Sequence, residues 1–283
     1  MMLRTPQRRL RHAAYRWRIR KPIWQKSLTA RLHGRKVVHF LHVGKTGGTA
    51  LKYVLRNNRD TPTHLVMAHP HKVQLRDLPP WDDFFFFLRD PVDRYVSGFN
   101  SRLREGRPRY VRPWTSREKW AFERFQTAEE LAVALGSDDP RRRAQAQRAM
   151  RSIRHVRSGF ATWTGDPRLF RRRQKHLVLV GRLETIDADF ERLKALLSLP
   201  ADAALPQHDK HAHRDPGSAP RHLSPEAREN VAAWYSEDYR FLAASCALDP
   251  GRTDHDLPPP AEDPRAVGSL GDALKRSGST ADT

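Results

Sequence analysis

Two apolar runs in this chain end in turns that change the character of the sequence within a residue or two. The first, Val37 to Val43, is rich in β-branched and aliphatic positions and breaks into Gly44 to Thr49, a turn with three glycines, one lysine and two threonines. A buried strand followed by a helix over Thr49 to Asn57 accounts for that pattern. The second run, Phe84 to Leu88, is four phenylalanines and a leucine; it stops at Arg89 and passes through Asp90 and Pro91 into a helical pattern. Proline suits the first helical turn, and a carboxylate just ahead of it can accept helix N–H bonds. With further runs near Leu65 and Val178, the pattern predicts a small parallel sheet of four or five strands flanked by helices. Between and after these strands the chain reads as helical, above all from about Arg109 to Gly165. Thr127 and Glu130 make a capping-box pattern, Asp139 and Pro140 open a helix, and Leu223 to Ala244 read as one final helix.

A strand that feeds a glycine-rich turn and then a helix is a phosphate cradle in outline. Residues without a Cβ let backbone N–H groups converge on an anion, and the following helix points its positive end at the same place. The nucleoside triphosphatase pattern G-x-x-x-x-G-K-[ST] does not fit, because its first glycine falls on His39, inside the strand, and the glycines here follow Lys45 as Gly47 and Gly48. That spacing counts against a kinase. Arg89 stands at the carboxyl end of the second strand, where open α/β sheets bind ligands, and Ser97 follows eight residues later, about two helical turns along. Right-handed crossovers would bring the turns after Val43 and Leu88 to one sheet edge, so that both grips serve one bisphosphate ligand.

The pair GKTGGT and RDPVDRYVSGF resembles the two cofactor signatures of sulfotransferases that use 3′-phosphoadenosine-5′-phosphosulfate (PAPS), and is most similar to the branch holding heparan-sulfate 2-O-sulfotransferases and their bacterial relatives. The resemblance runs from about Val37 to about Ala244. It implies a P-loop-like three-layer α/β fold. It also implies that Lys45, Thr46, Gly47, Gly48 and Thr49 hold the 5′-phosphosulfate end of the donor, and that Arg89 and Ser97 hold its 3′-phosphate. The acceptor it implies is a hydroxyl, of a carbohydrate or glycoconjugate.

Sulfuryl transfer to an alcohol needs in-line positioning, a base for the acceptor hydroxyl and positive charge at the leaving oxygen. Lys45 is placed for the leaving oxygen. For the base, the family branch carries a histidine in the interval between the two motifs, which here offers His69 in HLVMAHPHKVQLRDLP. Family members often have glycine before this histidine, where this chain has Ala68, and His71 stands two positions on. In an extended segment the two would face the same side, so the assignment is open between them. Family members also close a late basic loop over the 3′-phosphate, a role open to Lys210, Arg214 and Arg221. His155 is a further candidate substrate contact.

Charge adds a separate feature. The sequence has 52 lysines and arginines against 32 acids, a net +20, and residues 1–36 hold 12 of the basic residues and no acid. Trp17, Ile19, Ile23 and Trp24 interleave with those arginines, a pattern suited to an anionic membrane surface; the plainer alternative is a solubilising or disordered arm that merely precedes the fold. For a sulfotransferase, transfer is expected to persist when residues 1–36 are deleted. The segment lacks the apolar core of a secretory signal, no run reaches membrane-spanning length, and a cytoplasmic protein is expected. The arginines of SRLREGRPRYVRPW are candidates to line a groove for an anionic saccharide. The single cysteine, Cys246, excludes an intramolecular disulfide and sits where a buried apolar residue is expected. No metal-ligand spacing is present, and neither a metal nor a nucleic-acid partner is expected. The expected organisation is a basic arm over 1–36, a catalytic domain over 37–248 and a disordered tail over 249–283. A divergent nucleotide or small-molecule kinase, and a basic module for nucleic acid or lipid, are the alternative readings.

Overall fold

The computed structural model describes residues 6–108, 110–206 and 222–249. Four strands, β1 (Lys36–Phe40), β2 (His64–Ala68), β3 (Asp83–Leu88) and β4 (Leu177–Arg182), form one sheet of order β2-β1-β3-β4. The helices among these residues are α1 (Pro6–Leu32), α2 (Gly48–Asn57), α3 (Pro91–Leu103), α4 (Ser116–Phe122), α5 (Ala128–Leu135), α6 (Pro140–Ser152), α7 (Ala161–Thr164), α8 (Pro167–Arg173), α9 (Ile186–Leu197), α10 (Pro225–Trp234) and α11 (Ser236–Cys246). The chain divides into two compact units, one from residues 1–87 and 161–213, the other from 88–160 and 214–283.

The first unit is built on the sheet. β1 pairs in parallel with β2 on one side and β3 on the other, with Phe40 opposite both Ala68 and Phe85. The carboxyl ends of these strands therefore share one edge. Alternation along each strand sends side chains to two faces. Val38, Phe40, Phe85 and Phe87 pack with Leu51, Val54 and Leu55 of α2 and Phe190, Leu193 and Leu197 of α9 into one apolar cluster. His39, Phe84 and Phe86 have the opposite parity, and Phe86 meets Phe170 of α8 while the Arg173 guanidinium lies over Phe84, 5.5 Å from its ring centre. The layers are helix, sheet and helix, the expected P-loop-like α/β arrangement with four strands.

α1 is more than an arm ahead of the fold. Its Ile19, Ile23, Ser27 and Ala30 recur at helical spacing and are buried. Arg16 donates to an Asp77 oxygen at 3.0 Å, and the Trp24 indole N–H donates to the Asp77 carbonyl at 2.9 Å. The segment read as a basic arm therefore packs into the first unit, because every third or fourth residue of its second half has an apolar or hydrogen-bonded seat.

The second unit is helical. Asp90 caps α3 by accepting from the Asp93 N–H at 2.9 Å, Pro91 opens that helix, Thr127 caps α5 and Asp139 caps α6, as their sequences predict. Its core joins Tyr95 and Phe99 of α3 to Phe122, Leu131, Met150 and Val231. Two ion pairs are sealed inside it. Arg94 pairs with Asp238 at 2.9 Å with its guanidinium over the Phe160 and Tyr235 rings, and Arg102 pairs with Glu118 at 2.8 Å. Burial alone would raise the Glu118 carboxyl, but hydrogen bonds from Arg102, Thr115 and Arg154 bring it down to about 2. Arg102 is thus a structural residue and not part of a saccharide groove, while Arg107 and Arg112 of the same run are exposed. The predicted last helix is two helices, α10 and α11, broken at Tyr235. Its hydroxyl donates to the Val156 carbonyl from a buried position, and the backbone there leaves helical geometry (φ −101°, ψ 24°). Cys246 is buried at the end of α11.

Candidate active site

The turn after β1 has the construction its sequence implies. Lys45 takes the left-handed backbone conformation (φ 70°), rare outside glycine, and Gly47 follows with φ 75° as the cap residue of α2. A Cβ on Gly47 would come within 2.8 Å of Leu183, and one on Gly48 would run into the His42 ring. Gly47 is required by its backbone conformation and Gly48 by the space the His42 ring occupies. Thr46 is buried, and its hydroxyl donates to the Val43 carbonyl at 3.1 Å, which closes the turn on itself. The Thr46 side chain therefore shapes the loop. Trp163 of α7 borders it at Gly44, where an added Cβ would meet the indole at 3.2 Å, and the Trp163 N–H donates to the His71 carbonyl at 2.9 Å.

His69 follows β2, and its backbone N–H donates to the Phe40 carbonyl at 3.2 Å, so it is fixed beside the strand that leads into the turn. Its imidazole is almost wholly buried, and Nε2 lies 2.8 Å from His39 Nδ1. The ring planes are 23° apart and their centres 5.0 Å apart, which sets the rings side by side and nearly coplanar. His39 Nε2 is in turn 3.0 Å from Asp82 Oδ2, which also accepts from the Ser27 hydroxyl of α1. Burial, and then the neighbouring His39, hold the His69 imidazole well below its ordinary range; burial likewise lowers His39, against an upward pull from Asp82. Burial thus works against the charged form of both rings. His71 is exposed, its ring centre is 3.7 Å from that of His42, and its Nδ1 is 3.2 Å from the His42 carbonyl.

The first unit thus brings together the Lys45–Thr49 turn, His69 and His71. Arg89 and Ser97 belong to the second unit, Arg89 directly after β3 and Ser97 on α3, both half-buried. There the Tyr239 hydroxyl and Arg228 of the late helices reach Asp90, the cap of α3, at 2.7 and 4.0 Å. A Cβ on Gly98 would approach His155 at 3.2 Å, so His155 adjoins α3 one residue after Ser97. Lys210, Arg214 and Arg221 lie outside the described residues, as does the tail beyond Asp249. Among the described residues no cluster of histidine, cysteine and carboxylate groups is arranged to hold a metal, and no helix is long and apolar enough to cross a membrane.

Sequence reading missed His39, Asp82 and Trp163 as parts of this site. His39 carries the one usable signal, since an imidazole in a buried apolar strand must find a polar partner. Asp82 is 43 residues away along the chain, and nothing local marks it.

A small sheet of the P-loop-like class thus carries a glycine-rich turn after its central strand and a buried histidine on the neighbouring strand end. Compared with known families, the chain matches the sulfotransferase family over residues 29–243, most of its length, and it belongs to that family. Sulfuryl transfer is its chemistry, which sets aside the kinase reading. No curated protein and no solved structure matches it.

Proposed function

We propose that this enzyme moves the sulfuryl group of PAPS to a hydroxyl of a carbohydrate or glycoconjugate, with His69 as general base and Lys45 beside the leaving oxygen. The observation that carries the reading is the pairing of a glycine-shaped turn with a buried, hydrogen-bonded imidazole on adjacent strands of one unit. A turn with Gly47 in the left-handed conformation and no room for a Cβ at Gly48, at the N-terminus of α2, suits the 5′-phosphosulfate end. Lys45, Thr46, Gly47, Gly48 and Thr49 hold that end in this proposal, Thr46 through its backbone, and Arg89 and Ser97 hold the 3′-phosphate.

In the transfer, a bond forms between the acceptor oxygen and sulfur while the bond from sulfur to the bridging phosphate oxygen breaks. The electron pair leaves with that oxygen, whose growing negative charge the Lys45 ammonium offsets, and the acceptor proton goes to His69. By analogy with phosphoryl transfer, the loose transition state leaves most of the rate enhancement to positioning and electrostatics. Incubation with labelled PAPS and a panel of cell-envelope glycans tests the reading. Label should move to a glycan, Lys45→Ala should abolish transfer, and His69→Ala should lower it by about 10²- to 10⁴-fold. Transfer that survives both substitutions would overturn the assignment.

The outward face of α1 supports a further partner, an anionic membrane surface. Trp17, Leu28 and Leu32 are 63%, 54% and 77% exposed, and exposed Arg11, Arg18 and Lys21 flank them. Apolar side chains beside cations, with the opposite side of the helix seated on the protein, are what lying flat on such a surface requires.

A further inference from the structure

We propose that Asp82 and His39 are positioning residues that set the tautomer of His69, so that its Nδ1 is the atom that takes the acceptor's proton. The inference rests on the reading of His69 as the base. Hydrogen-bond direction along the buried chain leads to it. The carboxylate oxygen of Asp82 can only accept, so His39 Nε2 carries a proton and donates to it at 3.0 Å. In a neutral His39 the other nitrogen, Nδ1, is then an acceptor. Across the 2.8 Å contact His69 must therefore donate from Nε2. His69 is left with an unprotonated Nδ1, and among the described residues no hydrogen bond occupies that atom.

When Nδ1 takes the acceptor's proton, the positive charge that forms on His69 is shared across the short contact with His39 and is opposed by the Asp82 carboxylate. The proton later leaves from Nδ1 to water. The surroundings hold the carboxylate in place. From α1, the Ser27 hydroxyl donates to Oδ2 and Arg31 lies 3.6 Å from Oδ1; from α8, Arg173 donates to the Asp82 backbone carbonyl at 3.0 Å. Asp83 and Arg173 also act on His39 through their charges, with opposite sign, while its neighbours on β1 are apolar.

Asp82→Asn tests this, because an amide of the same shape can donate to His39 Nε2 and reverse the whole chain. His69 would then carry its proton on Nδ1. Nitrogen NMR of isotope-labelled histidines should show His69 protonated on Nε2 in the parent and on Nδ1 in Asp82→Asn. Turnover in Asp82→Asn should fall by about 10²-fold, with KM for PAPS little changed. Loss of the negative charge disfavours imidazolium, so the acidic limb of its pH–rate profile should move to lower pH. His39→Asn, whose side-chain oxygen can still accept from His69 Nε2, should keep the parent tautomer and recover part of the rate, which guards against a folding defect in the first variant. An Nδ1-protonated His69 in the parent, or a tautomer indifferent to Asp82→Asn, overturns the relay. If the tautomers behave as stated but His69→Ala transfers sulfuryl groups normally, the relay stands and the choice of base is wrong.

Discussion

Lys45 holds a backbone conformation that costs a residue with a side chain about 1–2 kcal/mol. Under the proposed function, that strain is kept for the ammonium group that Lys45 sets beside the leaving oxygen. Lys45→Gly should therefore separate the two roles. Denaturant unfolding should find it as stable as the parent or more so, by up to about 1 kcal/mol, while transfer is lost. A variant that loses stability would mean that the lysine is a structural part of the turn. The turn was legible at this scale because glycine, lysine and threonine at fixed spacing need no distant partner. His39 was not, since its role depends on Asp82 and His69, each supplied by a different part of the chain.

α1 carries two demands on opposite sides. Inward, Ile19, Ile23 and Ala30 are buried and Ser27 reaches Asp82, so the helix helps hold the carboxylate behind His39. Outward, its cations and exposed Trp17 and Leu28 face solvent. Each lysine or arginine near an anionic bilayer adds about 1 kcal/mol of attraction, and salt screens it. Co-sedimentation with vesicles should show binding when phosphatidylserine is present and none to neutral phosphatidylcholine, with loss on adding salt or on Arg18→Glu with Lys21→Glu. Equal binding to neutral vesicles, or none to either, would contradict the membrane role. At this scale the sequence was read well where the determinants are local. Strand runs and the caps at Asp90, Thr127 and Asp139 fall where expected. The break at Tyr235 was invisible because it follows from a tertiary hydrogen bond to Val156, and the helical pattern runs through it undisturbed.

For the whole molecule, the fold class followed from four apolar runs and two strand-to-helix turns, and the family match covers both motifs. The acceptor is a different matter. Cofactor turns are written in backbone-forming residues, whereas an acceptor pocket depends on surface side chains that no local rule fixes. The donor is thus where the account is most exposed to test. Calorimetric titration with 3′-phosphoadenosine-5′-phosphate, the nucleotide left after transfer, tests it most directly. It should bind without magnesium, and Lys45→Ala and Arg89→Ala should each weaken binding by at least about tenfold, the loss of a charged hydrogen bond. Tight magnesium-dependent ATP binding, with no response to the bisphosphate, would contradict the account.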